Sequence, residues 1–293
     1  MLSHFDKWTL LLTASAAAGC AGNVAGPGTP GDADASMTTN AVVVVERSTD
    51  AIEGARAQVS ARFVRVAAGS SAQDAMRAVG AALELPARGE CASVSALSGG
   101  ITRAEAAPVV ELVDVGSVWL DVAGARTRLV PRQVPDVTDV VSGVVYARAS
   151  DAALLPAAAR YEVHVSGSPG REAFDAAVDA PADPSDITVT GEEAGGGPLV
   201  ARGSSVALTW PSSGADDLVY VEVRPGAVRC VLDGVVRGGS TRATLSTSNL
   251  DDAGSIVLHR VHREALHALG VDGGEVRFDF ARSIAYVRPY ARP

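Results

Sequence analysis

The chain has 293 residues, of which 47% are hydrophobic and 20% charged, so it carries enough apolar side chains to fill packed cores and is not a mainly disordered protein. The formal net charge is −9, and no Lys/Arg cluster provides the basic surface that nucleic acid requires, so we expect no nucleic-acid partner. This length corresponds to about two ordinary domains.

Residues 1–20 have the layout of an export signal. Lys7 lies near the start, and a run of mostly apolar or small residues extends from Trp8 to Ala18. The run is too short to cross a hydrocarbon core of ~30 Å, which needs ~20 apolar residues, but it has the length of the hydrophobic region of a signal peptide. We therefore predict a cleaved signal peptide over residues 1–19.

The end of this signal, Ala17-Ala18-Gly19-Cys20, resembles the lipobox of bacterial lipoproteins, in which small residues precede the cysteine that becomes the mature N-terminus. The resemblance implies a diacylglycerol on Cys20 Sγ and a further acyl chain on its α-amine. Two or three chains hold a protein on a bilayer, because each buried CH₂ contributes ~0.8 kcal/mol. Ala21 stands where many lipoproteins retained at the inner membrane have Asp, which favours the outer membrane. An ordinary secretory signal with a chance cysteine is the alternative.

Residues 20–40 are rich in Gly, Pro, Ala, Asp and Thr without a hydrophobic period, which predicts a flexible tether behind the lipidated N-terminus. From residue 41 onward, short β-branched runs alternate with turn residues, which predicts an all-β sandwich or barrel. The predicted strands are Val42–Val45, Val59–Arg65, Val109–Val113, Val118–Val122, Val141–Ala147, Tyr161–Val165, Phe174–Val178, Ile187–Thr190, Val206–Trp210, Leu218–Arg224, Val228–Leu232, Arg242–Ser246, Ile256–Val261, Glu275–Phe280 and Ile284–Arg288.

Two segments interrupt the strand pattern. Residues 71–85 have apolar residues at helical spacing behind Ser71, a candidate N-cap, and predict one helix of about three turns. Residues 180–186 alternate Pro and Asp with small residues, which disfavours helix and sheet alike and indicates a domain junction. We therefore predict two immunoglobulin-like β-sandwich domains, over residues 41–182 and 186–293.

Several stretches of the body resemble a pattern in uncharacterised secreted β-rich lipoproteins of δ-proteobacteria. In the second half these are Val206-Ala-Leu-Thr-Trp210, Val219–Val223 and Cys230-Val-Leu-Asp233-Gly234, and in the first half Leu129-Val-Pro131 and Ser142-Gly143-Val-Val-Tyr146. The resemblance implies an exported body built of strands. Its motifs are structural, and it transfers no catalytic residue to this chain.

Once Cys20 is lipidated, Cys91 and Cys230 remain. Two cysteines often pair in an oxidising compartment, and a Cys91–Cys230 disulfide would join the two predicted domains. Alternatively, both are buried free thiols, because Val231 and Leu232 place Cys230 on an apolar strand. A reactive thiol is the third possibility, and spacing alone does not choose among the three.

The histidines do not form a recognisable metal site. His259, His262 and His267 lack the His-Glu-x-x-His order of a zincin helix, and His259 and His262 on one strand would face opposite sides. We interpret all three as solvated strand-end or loop residues and His164 as a structural residue alone on its strand. No cofactor and no metal ion are expected.

Adjacent carboxylates and two tryptophans were the remaining candidates for chemistry. We interpret the carboxylates as solvated turn residues, with a Ca²⁺ site as the alternative. The three pairs are Glu192-Glu193, Asp216-Asp217 and Asp251-Asp252. Trp119 and Trp210 lie in apolar strands, so we predict that both fill sandwich cores.

No catalytic motif emerges: the chain has no Gly-x-Ser-x-Gly elbow and no phosphate-binding Gly-x-x-x-x-Gly-Lys loop. These absences favour a non-catalytic binding or scaffolding module of the cell envelope over an enzyme. Its expected partners are the lipid bilayer, through the acyl chains on Cys20, and an unidentified envelope protein or glycan. An envelope hydrolase with an unrecognised inter-domain site is the alternative, and a purely structural envelope component is the third interpretation.

Overall fold

The computed structural model describes residues 37–50, 54–67, 69–98, 110–135, 141–190, 192–193, 198–211, 217–237 and 239–289. The predicted signal peptide, the lipidation site Cys20 and residues 21–36 of the predicted tether lie outside the described residues. The strands, in chain order, are β1 (Met37–Asp50), β2 (Gly54–Ala67), β3 (Cys91–Ser93), β4 (Val110–Leu112), β5 (Val118–Val122), β6 (Ala125–Arg128), β7 (Val130–Val134), β8 (Val141–Ser150), β9 (Arg160–Val165), β10 (Phe174–Asp179), β11 (Thr188–Thr190), β12 (Glu192–Glu193), β13 (Leu199–Val200), β14 (Ser205–Pro211), β15 (Leu218–Arg224), β16 (Val228–Val231), β17 (Val235–Arg237), β18 (Ser240–Ser246), β19 (Ala253–Ala265) and β20 (Gly273–Val287).

These strands form three sheets. A twelve-stranded sheet has the order β3-β16-β15-β19-β20-β1-β2-β4-β8-β7, with β13 beside β20 and β12 beside β13. The first small sheet has the order β10-β9-β5-β6, and the second small sheet has the order β11-β14-β18-β17. The protein is therefore all-β, and the predicted fold class is confirmed.

Both small sheets pack on the same face of the twelve-stranded sheet, which we call the inner face. Phe280 of β20 packs with Val45 of β1 in a core under the first small sheet, and Ile284 and Tyr286 of β20 pack in a second core under the second small sheet. Residues that are an even number of positions apart on one strand point to the same side. The result is two sandwiches that share one long sheet.

The shared sheet links the two halves of the chain directly. β20 runs parallel to β1 from the Asn40–Gly273 pair to the Thr49–Arg282 pair. Because β20 has 15 residues, it is long enough to pass beneath both cores. Residues 41–182 and 186–293, the two predicted domains, thus meet within one continuous sheet rather than across a cleft between separate sandwiches.

Strand β1 begins earlier than the sequence predicts. Met37 pairs with Ala67 of β2, and Asn40 pairs with both Val64 of β2 and Gly273 of β20. Residues 37–40, which we predicted to end the tether, therefore belong to the centre of the large sheet.

The predicted helix is present but shorter than expected. Helix α1 (Ala72–Ala78) begins after Ser71, whose Oγ accepts from the Asp74 backbone N–H at 3.2 Å, as predicted for an N-cap. It ends before Gly80, whose φ of 66° lies in the left-handed region. A second short helix, α2 (Val94–Ser98), follows β3 and has no counterpart in our prediction.

Residues 72–90, which we call the strap, cross the outer face of the twelve-stranded sheet, opposite the small sheets. Met76 in α1 packs over Val42 and Val44 of β1, while Leu83 and Leu85 pack over the strands on the β16 side. The strap then leads into β3, which pairs with β16 at the sheet edge. It covers only part of the outer face.

Candidate functional site

The part of the outer face beside the strap is an open groove with a cavity volume of about 690 Å³. Side chains of β1, β2, β8, β15, β19 and β20 line it, since these strands are neighbours in the large sheet. Its polar lining includes Glu46, Gln58, Arg224, His259, Asp279 and Ser283. We call this surface the groove.

A buried polar triplet lies at the groove. His259 of β19 is 8% exposed, and its Nδ1 lies 2.7 Å from Asp279 Oδ1. The Tyr220 hydroxyl donates to the other oxygen of Asp279 at 3.1 Å, and the Tyr220 ring stacks on the His259 ring at a centroid distance of 4.2 Å. Burial, reinforced by the Asp279 carboxylate, raises the pKa of Tyr220 well above its ordinary value, so its hydroxyl remains a donor.

The hydrogen bond to Asp279 defines what His259 can offer a ligand. A carboxylate only accepts, so Nδ1 carries the donated hydrogen, and Nε2 is the acceptor of the neutral ring. Nε2 is buried and has no hydrogen-bond partner within the described part of the chain. A buried polar atom without a partner carries a desolvation cost of about 1–3 kcal/mol, and because Nε2 is buried, a hydroxyl donor in the groove would reach it only after the ring shifts.

The charged side chains around the groove are already neutralised by their neighbours. Glu222, 8% exposed, accepts from Arg224 Nε at 2.7 Å and from Arg229 Nε at 3.1 Å. Although burial opposes its ionisation, these two hydrogen bonds lower the pKa of Glu222 below its ordinary value. Glu46 accepts from the Gln58 side-chain amide. The groove therefore presents hydrogen-bonding groups without a dominant charge.

On the inner face, three arginines separate the two cores and hold the segment predicted as the domain junction. Arg47 forms an ion pair with Asp183, and Arg260 pairs with Asp186 at 3.0 Å. Arg282 donates to the carbonyl oxygens of residues 185 and 187 at 3.3 and 3.4 Å. We call this set the arginine belt.

His262 extends the arginine belt along β19. Its Nδ1 lies 2.8 Å from Asp217 Oδ1, and its Nε2 lies 3.2 Å from Glu264 Oε1. Burial opposes the charged form, but the hydrogen bonds with Glu264 and Asp217 together raise the pKa of His262 above its ordinary value. Asp217 also lies 3.8 Å from Arg260 Nε, so the ion pairs form one connected network.

The first small sheet carries charged and aromatic side chains on its solvent face. One row of directly paired residues crosses all four strands, and Asp121, Arg126 and Glu162 form the next row. The row that crosses all four strands consists of Asp175, His164, Trp119 and Arg128. We call the two rows together the Trp119 platform. Asp121 pairs with Arg126 at 2.6 Å, and this hydrogen-bonded pair lowers the pKa of Asp121.

The structure corrects the interpretations of Trp119 and His164 and agrees with the placement of Trp210 against a core. Trp119 alternates with the buried Val118 and Leu120, so it points away from the core and the core prediction is wrong for it. Trp210 is half-buried and packs against the second core. His164 is not alone, because its Nδ1 lies 2.5 Å from Asp175 Oδ1.

The strand histidines and the acidic pairs also differ from expectation. His259 and His262 do face opposite sides, but both lie within β19 and are hydrogen-bonded to carboxylates rather than solvated at its end. His267 is exposed. Asp217 is a partner of His262 rather than a solvated turn residue, while Asp251 and Asp252 are exposed. The side chains of Glu192 and Glu193, and Asp216, lie outside the described residues.

Cys91 and Cys230 are opposite each other on β3 and β16 and are joined by a disulfide. The bond attaches the end of the strap to the edge of the large sheet. Cys230 is fully buried, whereas Cys91 is exposed. Neither cysteine lines the groove, so the disulfide positions the strap beside the groove rather than contributing to it.

The sequence analysis did not single out Asp279 as a groove residue or Tyr220 as its buried hydrogen-bond partner. Asp279 stands between Phe278 and Phe280, and strand alternation alone indicates that it faces away from the core that these rings enter. A polar residue at that position is a signal for a functional or ion-paired group on the opposite face. Its partner His259 comes from another strand and is therefore invisible in the local pattern.

The described residues contain neither a cluster of metal-ligating side chains nor a membrane-spanning helix. No group of three or more His, Cys, Asp or Glu side chains there is arranged to hold a metal ion. No described helix has the length and apolar character needed to cross a membrane.

No protein-family model and no curated protein matches this chain. Among solved structures, it is similar to the full ectodomain (Ig1–Ig3) of mouse nectin-like molecule 4, at 9% identity over 88% of this chain and 67% of that one, with a TM-score of 0.22. It is also similar to the Danio rerio Fcho1 Mu homology domain with bound Eps15 peptide, at 12% identity over 86% and 97% of the two chains, with a TM-score of 0.23. Likeness at this level carries no information about activity or partners.

Proposed function

We propose that this protein is an exported lipoprotein that acts as a non-catalytic binding or scaffolding module of the cell envelope. Residues 1–20 support the anchor, because a short apolar run is followed by Ala17-Ala18-Gly19-Cys20. Acyl chains on Cys20 would hold the folded part beside a bilayer, with Ala21 favouring the outer membrane. The residues that carry the anchor and those that form the groove are separate, so the two parts of the proposal are tested separately.

The groove is the observation that carries the binding role. It is a concave surface of about 690 Å³ on a sheet whose opposite face is covered by two small sheets, so its shape is set by rigid strands. Its lining offers carboxylate, guanidinium, amide and hydroxyl groups at Glu46, Arg224, Gln58 and Ser283. Such convergent polar groups on a preformed surface are typical of binding sites.

The His259–Asp279 pair favours one rival function, that of an envelope hydrolase. A carboxylate that orients an imidazole is the base half of a nucleophile–base–acid arrangement. The other half requires a hydroxyl or thiol at Nε2, and Nε2 has no such partner among the described residues. Turnover of p-nitrophenyl acetate that is abolished by His259→Gln would favour the hydrolase over the binding module.

The anchor is tested by metabolic labelling with palmitate. We expect label in the wild type and none in Cys20→Ser, with the wild type in the membrane fraction of the cells. Equal labelling of the two proteins, or recovery of the unprocessed wild type from the cytosol, would contradict the anchor.

The binding role is tested by retention of detergent-solubilised envelope components on the immobilised full-length protein. Ala149→Trp places a large side chain at an exposed position in the groove, and Thr244→Trp places the same side chain at an exposed position of the second small sheet. We expect a component that wild type and Thr244→Trp retain and Ala149→Trp does not. Identical retention by all three proteins would contradict a binding role for the groove.

A further inference from the structure

The Trp119 platform is a second surface, separate from the groove and independent of the anchor. Trp119 is half-buried on the solvent side of β5, between His164 of β9 and Arg128 of β6 in the same cross-strand row. The core side of β5 is filled by Val118, Leu120 and Val122, so the indole is not needed there.

The indole is not committed to another residue. The Trp119 backbone pairs with β9 and β6, but no hydrogen bond or ring contact joins its indole to another residue of the described chain. Trp offers a large apolar surface at a low cost in side-chain entropy, and its N–H is a donor. An uncommitted indole on a rigid strand is therefore suited to contact a ligand.

The Trp119 platform carries charges of both signs, with the carboxylates of Asp121, Glu162 and Asp175 against the guanidinium groups of Arg126 and Arg128. Asp121 pairs with Arg126 at 2.6 Å, and His164 lies between Asp175 at 2.5 Å and Asp121 at 3.1 Å. A strongly anionic or cationic ligand would have to displace these pairs. Carboxylate and guanidinium groups held in this way still accept from and donate to hydroxyl groups in defined directions.

We propose that the Trp119 platform binds a neutral saccharide chain. One face of a pyranose ring consists of C–H groups and packs on the apolar indole, while the hydroxyl groups around the ring edge reach Asp121, Arg126, Glu162 and Arg128. A peptide fits less well, because the platform is the face of a sheet, where the backbone groups are already paired, rather than an edge. A cavity of about 540 Å³ beside the β5–β6 turn extends the surface.

The second small sheet provides a matched comparison within the same molecule. The corresponding row on its solvent face is Thr188, Thr209, Arg242 and Val235, and it contains no aromatic residue. Arg242 is exposed, so Arg242→Ala removes a large side chain from an equivalent place without changing the Trp119 platform.

The test uses the purified full-length protein labelled with 5-fluorotryptophan. The ¹⁹F resonance of Trp119 is assigned as the one that disappears from the spectrum of Trp119→Phe. Cellotetraose, maltotetraose and tetra-N-acetylchitotetraose are titrated separately, with octaproline as the peptide comparison. We expect at least one saccharide to shift the Trp119 resonance and leave that of Trp210 in place. Calorimetry should then give a dissociation constant raised roughly tenfold or more in Trp119→Ala and unchanged in Arg242→Ala.

Each other outcome overturns the proposal. If no saccharide shifts the Trp119 resonance, or if octaproline alone shifts it, the platform is not a saccharide site. If a saccharide binds equally well to Trp119→Ala, it binds elsewhere. Because Trp119 faces solvent, Trp119→Ala is expected to fold, and an unchanged Trp210 resonance in that variant verifies this. None of these results depends on the anchor or the groove.

Discussion

His259 and His262 lie on the same strand but serve opposite faces of the twelve-stranded sheet. His259 bonds to Asp279 on the outer face beside the groove, and His262 bonds to Asp217 on the inner face within the arginine belt. Side chains three positions apart on a strand point to opposite sides. One strand, β19, therefore connects the candidate ligand surface to the ion pairs that separate the two cores.

The contribution of His262 to stability should depend on pH. Its folded-state pKa is raised, so its stabilising interaction with Asp217 and Glu264 is fully present below the unfolded-state pKa and is lost as the pH rises through the folded-state pKa. We expect His262→Gln to lower the free energy of unfolding more at about pH 6 than at about pH 9, since an unperturbed histidine titrates near 6.5. Urea unfolding of both proteins at each pH measures the difference.

The exposed His267 supplies the control for this effect. His267→Gln should leave the free energy of unfolding unchanged at both pH values, because its ring is solvated in both states. If His262→Gln lowers the free energy of unfolding equally at the two pH values, or more at the higher pH, the role assigned to His262 is contradicted.

Replacing Arg260 should destabilise the protein strongly. Its side chain is only 3% exposed, and it faces Asp186 at 3.0 Å and Asp217 at 3.8 Å. Arg260→Met leaves Asp186 without its cation and Asp217 with His262 alone, and loss of one partner from a buried ion pair costs up to about 3–5 kcal/mol. Chemical unfolding followed by circular dichroism measures the loss.

Arg263→Met is the matched control for Arg260→Met. Arg263 lies three residues later on β19, is 46% exposed and reaches Glu275 only at 4.0 Å, so its loss should cost less than about 1 kcal/mol. Losses of similar size in the two variants would show that Arg260 is not a buried structural cation.

The all-β class and most strands could be predicted from the sequence because β-branched runs and turn residues are local signals. The Ser71 N-cap is also local, and it was predicted correctly. The end of α1 was predicted wrongly. Leu83 and Leu85 continue the apolar spacing of the helix, but they are buried because they pack over strands that are distant in sequence. Strand β1 was predicted too short because its start is stabilised by pairing with β2 and β20.

The candidate sites were largely beyond local pattern. Trp119 is an exception, because Val118, Leu120 and Val122 alternate with Trp119 and Asp121, and this strand pattern already places the indole on the face opposite the core, which our core prediction overlooked. The arginine belt needs three strands and the junction segment to meet. The Cys91–Cys230 pair likewise depends on a strap that crosses the sheet, which neither cysteine's neighbours indicate.

The disulfide should contribute strongly to stability. Cys91 and Cys230 are 139 residues apart, and in the chain-entropy description a cross-link closing so long a loop stabilises the folded state by about 5 kcal/mol. We expect the double variant Cys91→Ala/Cys230→Ala to lose an amount of this order in urea unfolding. Reduced wild type should unfold near the same urea concentration as the variant. An unchanged unfolding midpoint on reduction would contradict the prediction.

The two strand tryptophans should differ sharply when each is truncated. Trp210 packs against the second core, and its ring lies so close to Gly234 that a Cβ there would be 3.4 Å from Trp210 Cζ2. Trp210→Ala should therefore cost about 3 kcal/mol, at the lower end for a core Trp because the side chain is only half-buried. Trp119→Ala removes a ring from the solvent face and should cost less than about 1 kcal/mol. Melting temperatures measured in parallel test the contrast, and an equal or larger drop for Trp119→Ala would mean that its indole supports the fold instead of a ligand.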